Sequence, residues 1–342
     1  MIERLAMLEF DRRLLHEWGG STRVMERVSR GARAGIASRV DGMVVLATCE
    51  RFELYVTGDV AEGLCVLTGV FGGGDDRWIA GARVRRGRDA VRHLLRVASG
   101  LESRLIGEPH VLGQVRRSAE HARKAGLMDA GLERVFALGL RCGRRVRRET
   151  DLGRAASTYA GLAVERVVDR LAETASARVG IVGTGAVALE VGEGLARRAV
   201  GEVVVFGRHA ERTSRLAAHL GARAVGLGVL GGTLAGLDAL VTATSAPRAV
   251  VGASALGNAP DGLVIVDLGM PANVEVGPGD RRRLVYLGID DLAPADRPAE
   301  TIVREAEVVV ERELGRLAWS GSGACVRSSG VWRGALGAEV HA

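Results

Sequence analysis

The chain is poor in lysine, in aromatic residues, in paired cysteines and in long apolar runs. Lys124 is the only lysine among 47 basic residues, and aromatic residues make up 4% of the chain. Cys49, Cys65, Cys142 and Cys325 lie far apart, without a Cys-x-x-Cys pair or a histidine at zinc-site spacing. We therefore expect neither a disulfide framework nor a metal site. Because the chain also lacks about 18 consecutive apolar residues and the apolar core of a signal peptide, we expect a soluble, cytoplasmic protein.

What is present fits a globular protein with two domains of ordinary size. The 342 residues are 47% hydrophobic and 26% charged, so each domain has enough apolar surface to bury a core. The formal net charge is +6 and the isoelectric point is about 9.7. Such a charge would attract an anionic partner such as tRNA, and more weakly at high salt.

Residues 1–153 predict an α+β domain. MVVLAT (43–48) and FELYV (52–56) are strand-like and flank Cys49, and three helical patterns follow between Arg88 and about Arg148. The last of these helices carries a run of arginines that would either contact phosphates or form a solvated face. These arginines are Arg141, Arg144, Arg145, Arg147 and Arg148.

Residues 154–298 predict a Rossmann-type domain with a doubly wound parallel sheet. ARVGIVG, EVVVFG, LDALVTATSA and GLVIVDLG are buried-strand patterns, and TGAVALEVGEGLARRA between the first two is helical, which makes a βαβ unit. Residues 299–342 predict an amphipathic helix and then a short Gly/Ser-rich remnant. The expected fold class is therefore α/β, with an α+β domain placed before the Rossmann-type domain.

A glycine-rich turn in the second domain predicts a dinucleotide site. Gly183, Gly185 and Ala188 form a G-x-G-x-x-A pattern between a strand and a helix, where backbone N–H groups approach a pyrophosphate. Arg208 stands where an acidic residue would bind the ribose of NAD, and it favours the 2′-phosphate of NADP instead. The alternative is a Rossmann-like turn that has lost its cofactor. The candidate cofactor residues are Gly183, Thr184, Gly185, Ala186, Val187, Ala188 and Arg208.

Cys49 stands at the end of an apolar strand pattern, among charged residues. The neighbouring guanidinium of Arg51 would favour the thiolate, which is the form that attacks a carbonyl. The alternative is a small buried side chain that ends a strand. A nucleophilic thiol together with a hydride donor indicates the reduction of an acyl thioester, or the reverse oxidation of an aldehyde.

Several separated stretches resemble the glutamyl-tRNA reductase family in order and spacing, from roughly Gly42 to Leu292. They are ATCERFELY around Cys49, AVRHLLRVASGLESRLIGEPHVLGQVRRS, RRVRRETDLG, the VGTGAV turn, IVDLGMPANVE and YLGIDDL. The resemblance implies that Cys49 attacks the ester of glutamyl-tRNA and that NADPH reduces the resulting thioester to glutamate-1-semialdehyde. This reaction opens the C5 route to 5-aminolevulinate and the tetrapyrroles, and it needs no metal.

The resemblance also implies roles for residues near Cys49. His93 matches the active-site histidine of the family, which would donate a proton or assist the thiol. Arg51 is suited to pairing with a substrate carboxylate. The residues at positions that hold the glutamyl group are Thr48, Glu50, Arg51, Ser103, Glu108, Pro109, His110 and Gln114.

The chain departs from the family pattern at several of these positions. Glu50 replaces an asparagine, Phe52 a smaller residue and His110 a glutamine, while Gly207 and His209 flank Arg208 in place of asparagine and threonine. If Glu50 points inward, it would repel a substrate carboxylate and raise the pKa of Cys49. If it points to solvent, it would change neither.

The two ends of the chain depart from the family as well. The Gly-x-x-His-x-x-Ala-Pro pattern of the family has no match in MIERLAMLEFDRRLL, and residues 318–342 predict a truncated or absent dimerisation domain after the spinal helix. Dimerisation by the usual route is therefore expected to be impaired. Three functions stay open: a glutamyl-tRNA reductase that hands its product to an aminomutase, a divergent paralogue that reduces another aminoacyl-tRNA, and a non-catalytic protein that binds tRNA or another partner.

Overall fold

The computed structural model describes residues 4–33, 40–71, 77–293 and 297–317. The chain divides into two compact units: Met1–Ala156 together with Pro298–Ala342 forms unit 1, and Ser157–Arg297 forms unit 2. The predicted remnant at 318–342, including Cys325, lies outside the described residues. In the described ranges, no helix combines the length and apolar character that crossing a bilayer requires.

Unit 1 is built on an antiparallel sheet in which the order of strands is β2-β3-β1-β4. Its strands are β1 (Leu5–Phe10), β2 (Gly42–Ala47), β3 (Phe52–Thr57) and β4 (Arg83–Arg86). Ala47 pairs with Phe52, so residues 48–51 are the turn of a β2–β3 hairpin. The two predicted strands around Cys49 are confirmed, and the thiol lies in the turn between them.

Helices cover this sheet. They are α1 (Leu14–Glu17), α2 (Ser21–Arg33), α3 (Val60–Phe71), α4 (Arg77–Ala80), α5 (Gly87–Ser99), α6 (His110–Lys124), α7 (Ala130–Glu149) and α8 (Leu152–Ala155). The apolar residues of α5, such as Val91, Leu94 and Leu95, are fully buried, as the spacing of three and four predicts. Helices α5 and α7 approach closely at Gly143, where an added Cβ would lie 2.4 Å from the carbonyl oxygen of Ala98.

Unit 2 is a doubly wound parallel sheet in the order β10-β9-β8-β5-β6-β7, which confirms the predicted Rossmann-type domain. Its strands are β5 (Arg178–Val182), β6 (Glu202–Gly207), β7 (Arg223–Gly226), β8 (Ala239–Thr242), β9 (Val264–Asp267) and β10 (Val285–Gly288). Its helices are α9 (Tyr159–Val168), α10 (Ala186–Arg197), α11 (Ala210–Leu220), α12 (Leu230–Thr233), α13 (Ala253–Leu256) and α14 (Asp280–Arg283). Every residue of β8 and β9 is buried, as expected for a sheet covered on both faces.

The last described helix, α15 (Glu300–Leu314), packs on α5 and α7 in unit 1. Glu313 is fully buried and accepts hydrogen bonds from Arg141 and Arg145 of α7. Burial raises the pKa of Glu313, but these two bonds together hold it below its usual value. Two of the five arginines in the run from Arg141 to Arg148 therefore hold α15 through Glu313.

The close approach of α5 and α7 gives a test of the unit 1 fold. We expect Gly143→Ala to destabilise unit 1 by about 2 kcal/mol, because the new methyl group meets a backbone oxygen that cannot move cheaply. This corresponds to a fall in Tm of roughly 4–8 °C. Tryptophan fluorescence reports on this unit through Trp18 and Trp78, which pack against its core. The control is Gly113→Ala on α6, where the new methyl meets only the tip of Arg117; an equal loss in both variants would contradict the prediction.

Candidate active site

The turn that carries Cys49 is held by the side chain of Thr48. Its Oγ1 accepts hydrogen bonds from the backbone N–H groups of Glu50 (3.1 Å) and Arg51 (3.2 Å), and the Thr48 N–H donates to the Arg51 carbonyl oxygen. The guanidinium of Arg12 donates to the carbonyl oxygen of Cys49 at 3.1 Å. The backbone around the sulfur is therefore fixed from both sides, while the cysteine itself stays half-buried. Arg12 was not among the residues expected from the sequence.

The thiol lies in an environment that favours its protonated form. Burial raises the pKa of Cys49 to about 12, and the nearby carboxylates of Glu108 and Glu50 add to this effect. The charge of Arg51 acts in the expected opposite direction but is outweighed. In this state Cys49 is a thiol: Arg51 favours the thiolate, as expected, but its effect on the pKa is smaller than that of burial and the two carboxylates.

Arg51 is 6% exposed and is surrounded by acceptors. Its Nη2 donates to the carbonyl oxygen of Glu102 at 3.1 Å and to the Ser103 hydroxyl at 3.4 Å, and its Nη1 lies 3.6 Å from Glu53. Its Nε is buried and has no hydrogen-bond partner within the described part of the chain. A buried donor without a partner is costly, so an incoming ligand oxygen would be stabilised there.

Glu50 points inward, which is the first of the two orientations considered from the sequence. Its side chain is 6% exposed, and one carboxylate oxygen lies 3.6 Å from Arg51 Nη2 and accepts from the Arg104 N–H at 3.2 Å. Burial and the charge of Glu50 raise the pKa of the neighbouring Glu108 to about 7. The carboxylates beside the thiol therefore repel one another as well as the thiolate.

His93 is hydrogen-bonded to the buried carboxylate of Glu53, a residue that was not predicted from the sequence. His93 Nε2 lies 2.9 Å from Glu53 Oε1, and the Tyr55 hydroxyl donates to the other oxygen of Glu53 at 2.8 Å. Burial raises the pKa of Glu53, but its bonds from His93 and Tyr55 hold it below the usual value. Since a carboxylate accepts, we assign the ring hydrogen to Nε2, which leaves Nδ1 as the basic nitrogen. The available signal was a carboxylate within the apolar strand FELYV.

The remaining substrate candidates lie at the start of α6 and before it. Arg147 of α7 donates to the carbonyl oxygens of Ala98 and Glu108, and so fixes the segment that carries Glu108. Pro109 is exposed and precedes α6, His110 begins the helix near the charge of Glu108, and Gln114 follows one turn later, half-exposed. One cluster with Cys49 is thus formed by Thr48, Glu50, Arg51, Ser103 and Glu108. Arg147 binds backbone carbonyl oxygens, so it is not a candidate for a phosphate contact.

Unit 2 contains a cavity of about 240 Å³ at the glycine-rich turn. Gly183 has φ +130°, and an added Cβ would lie 2.4 Å from the Ala243 carbonyl oxygen, so only glycine fits. Gly185 precedes α10, and a Cβ there would meet nothing within 4 Å, which leaves room in front of the helix N-terminus. Thr184, Arg208 and His209 also line the cavity. Ala186 and Val187 begin the helix, and the fully buried Ala188 packs it on the sheet.

A second arginine and a rigid loop complete this cavity. Arg212 of α11 also lines it, four residues after Arg208, and both side chains are exposed. Arg212 was not predicted from the sequence. On the other wall, Asn273 Oδ1 accepts from the N–H and the hydroxyl of Thr244. Asp267 accepts from the N–H of Asn273 and so fixes the IVDLGMPANVE loop. Room at the helix start and two cations suit the phosphates of a dinucleotide.

These features define a class of protein: an α+β unit with a thiol in a fixed turn, and a dinucleotide-binding unit of the dehydrogenase type. Within the described ranges, no cluster of three or more His, Cys, Asp or Glu side chains is arranged to hold a metal ion. The model for the N-terminal domain of glutamyl-tRNAGlu reductase matches residues 20–150, and that for shikimate/quinate 5-dehydrogenase matches residues 165–295.

Relatives with named functions point to the same family. The chain is 36% identical to a glutamyl-tRNA reductase of Halobacterium salinarum, over 81% of this chain and 64% of that protein. It is also 36% identical to glutamyl-tRNA reductase 2 of Nocardioides sp., over 86% of this chain and 71% of that protein. A solved glutamyl-tRNA reductase from Methanopyrus kandleri aligns with 92% of this chain and 79% of its own, at 30% identity and a TM-score of 0.44. The chain belongs to the glutamyl-tRNA reductase family, and it spans a little under two thirds of the length of the Halobacterium relative.

The raised pKa of Cys49 predicts slow alkylation. At pH 8 a pKa near 12 leaves very little thiolate, so we expect iodoacetamide to modify Cys49 at least about a hundredfold more slowly than the exposed Cys65. The rate at Cys49 should keep rising as the pH increases from 8 to 10. Mass spectrometry of the two peptides measures both rates in one sample. Modification of Cys49 at the rate of Cys65 would show that the thiol is not suppressed.

Proposed function

We propose that this chain reduces glutamyl-tRNA(Glu) to glutamate-1-semialdehyde in an NADPH-dependent reaction that proceeds through a thioester on Cys49. In this role it would catalyse the first step of C5 tetrapyrrole biosynthesis, which yields 5-aminolevulinate. The observation that supports it most directly is the juxtaposition of Cys49 with Arg51, whose buried Nε has no partner within the described chain. A glutamyl group could supply the missing acceptor to Arg51 while its acyl carbon faces the thiol.

The chemistry of the first step is an exchange of an ester for a thioester. A bond forms between the Cys49 sulfur and the acyl carbon, and the bond from that carbon to the ribose oxygen of tRNA breaks. The thiol loses its proton and the ribose oxygen gains one. The family resemblance gives this proton transfer to His93, whose Nε2 lies 2.9 Å from Glu53 Oε1.

The second step releases the aldehyde. NADPH, when bound, would supply a hydride to the acyl carbon. The bond from that carbon to the Cys49 sulfur would break, and the thiolate released would take up a proton to restore the thiol. The residues of this chain that would hold the cofactor are the Gly183–Ala188 turn and the cations Arg208 and Arg212. For the tRNA, the exposed Arg144 and Arg148 of α7 are the candidate phosphate contacts, although Arg148 also lies 3.3 Å from Glu149. Arg141 and Arg145 bind the buried Glu313, and Arg147 donates to backbone carbonyl oxygens.

One observation favours a second candidate, the reduction of a different aminoacyl-tRNA. Glu50 lies 3.6 Å from Nη2 of Arg51, so a substrate carboxylate brought to the same guanidinium would meet a like charge, which is unfavourable for a glutamyl side chain. A non-catalytic tRNA-binding protein would have no use for the bond between His93 and Glu53 beside a thiol. Product transfer to an aminomutase stays a prediction of the family resemblance.

Turnover tests the proposal directly. Purified protein incubated with NADPH and glutamyl-tRNA should oxidise NADPH and release a trappable aldehyde, whereas free glutamate should support neither. We expect Cys49→Ser to lose activity by on the order of a thousandfold or more while still binding tRNA. Cys65→Ser is the control and should keep the parent rate. The proposal fails if Cys49→Ser is as active as the parent. Other aminoacyl-tRNAs, tested in parallel, show whether the chain instead reduces a different aminoacyl-tRNA.

Binding of reduced cofactors tests the preference for NADPH. We expect Arg208→Ala and Arg212→Ala each to weaken NADPH binding by about tenfold, because each removes a charge-assisted contact to the 2′-phosphate. NADH binding should change less than twofold. Cofactor fluorescence titration measures both without turnover. Arg215→Ala on the same helix is the control, since its guanidinium pairs with Glu211; equal losses for NADH and NADPH would contradict a 2′-phosphate site.

A further inference from the structure

The positive charge of Arg51 is already compensated by two carboxylates before any substrate arrives. One carboxylate oxygen of Glu50 and one of Glu53 each lie 3.6 Å from the guanidinium. All three side chains are 6% exposed or less, so their charges are poorly screened. A third carboxylate brought to this single cation would be buried with an uncompensated charge, which is strongly unfavourable.

The two carboxylates differ in how firmly they are held. Glu53 lies in the interior of β3, where Tyr55 donates to one of its oxygens and His93 binds the other. Glu50 lies in the turn, where its carboxylate accepts from the backbone N–H of Arg104. Withdrawing Glu53 would break up the His93 pair, whereas Glu50 can be turned away by rotation of its side chain. Glu50 is therefore the carboxylate that an anionic ligand would displace.

We propose that Glu50 is a specificity-determining residue, an internal carboxylate that competes with the acyl side chain of the substrate for Arg51. A glutamyl side chain binds to Arg51 only after Glu50 is displaced, whereas the neutral glutaminyl side chain presents an oxygen to Arg51 without adding charge. Glu50 thus reduces the preference of the site for a glutamyl side chain over a glutaminyl side chain. This inference rests on the proposed reduction of an aminoacyl-tRNA at Cys49.

The charge-removing variant Glu50→Gln, which keeps the shape of the side chain, tests this competition. We expect KM for glutamyl-tRNA to fall by about tenfold, as the removal of one nearby like charge implies. KM for glutaminyl-tRNA should change less than twofold. The exposed Glu305 on α15 offers the matched control Glu305→Gln, which should leave both values unchanged. A second variant, Glu50→Asn, also removes the charge and should give the same fall in KM for glutamyl-tRNA. Agreement between the two variants shows that the effect does not come from the new glutamine side chain itself.

Binding of tRNA, measured without turnover, separates the proposed function from the proposed role of Glu50. In Cys49→Ser protein, filter binding gives the ratio of dissociation constants of uncharged and glutamyl-tRNA, and Glu50→Gln should raise this ratio by about tenfold. If the parent neither binds nor reduces any aminoacyl-tRNA, the proposed function fails. If the parent is active but Glu50→Gln changes KM and this ratio less than twofold, the function stands and the role of Glu50 is overturned. An equal gain with glutaminyl-tRNA would also overturn it.

Discussion

The buried guanidinium of Arg51 is the charge on which the thiol site depends. It lies between the turn carrying Cys49, the Glu102–Ser103 segment and the Glu53–His93 pair, and it contacts all three. Without this cation, the buried carboxylates of Glu50 and Glu53 would lose the positive charge that they share, which is strongly destabilising. The same residue therefore makes the acidic pocket possible and offers the donor that a substrate oxygen can use.

Burial and the carboxylates of the pocket keep Cys49 in its thiol form, which is the less reactive one. A thiol with a pKa near 12 is largely protected from oxidation and from adventitious electrophiles, because only the thiolate reacts readily. Glu108 has a pKa near 7, so its charge changes in the range where a cell operates. Protonation of Glu108 removes one of the charges that oppose the thiolate, and the reactivity of Cys49 is thereby linked to the charge of its neighbour.

The parts that the sequence predicts well are those determined by local patterns. The β2–β3 hairpin around Cys49 and the parallel strands of unit 2 follow from apolar runs of strand length, and the Gly183 turn follows from a φ that only glycine adopts readily. The direction of the Glu50 side chain could not be predicted, because it depends on Arg51 and on the Arg104 N–H from a distant segment. The role of Glu53 was missed because its partner His93 is forty positions away.

The arginine-rich composition shows how an overall charge can mislead about a binding surface. On α7, Arg141 and Arg145 neutralise the buried Glu313, and Arg147 donates to backbone carbonyl oxygens inside unit 1. Arginine suits these positions because its planar fork supplies several donors to fixed acceptors, which the single ammonium of lysine does not. Three of the six arginines on this helix thus hold the fold. Within the run, Arg144, Arg148 and the half-exposed Arg141 are the arginines that a polyanion would meet at the surface.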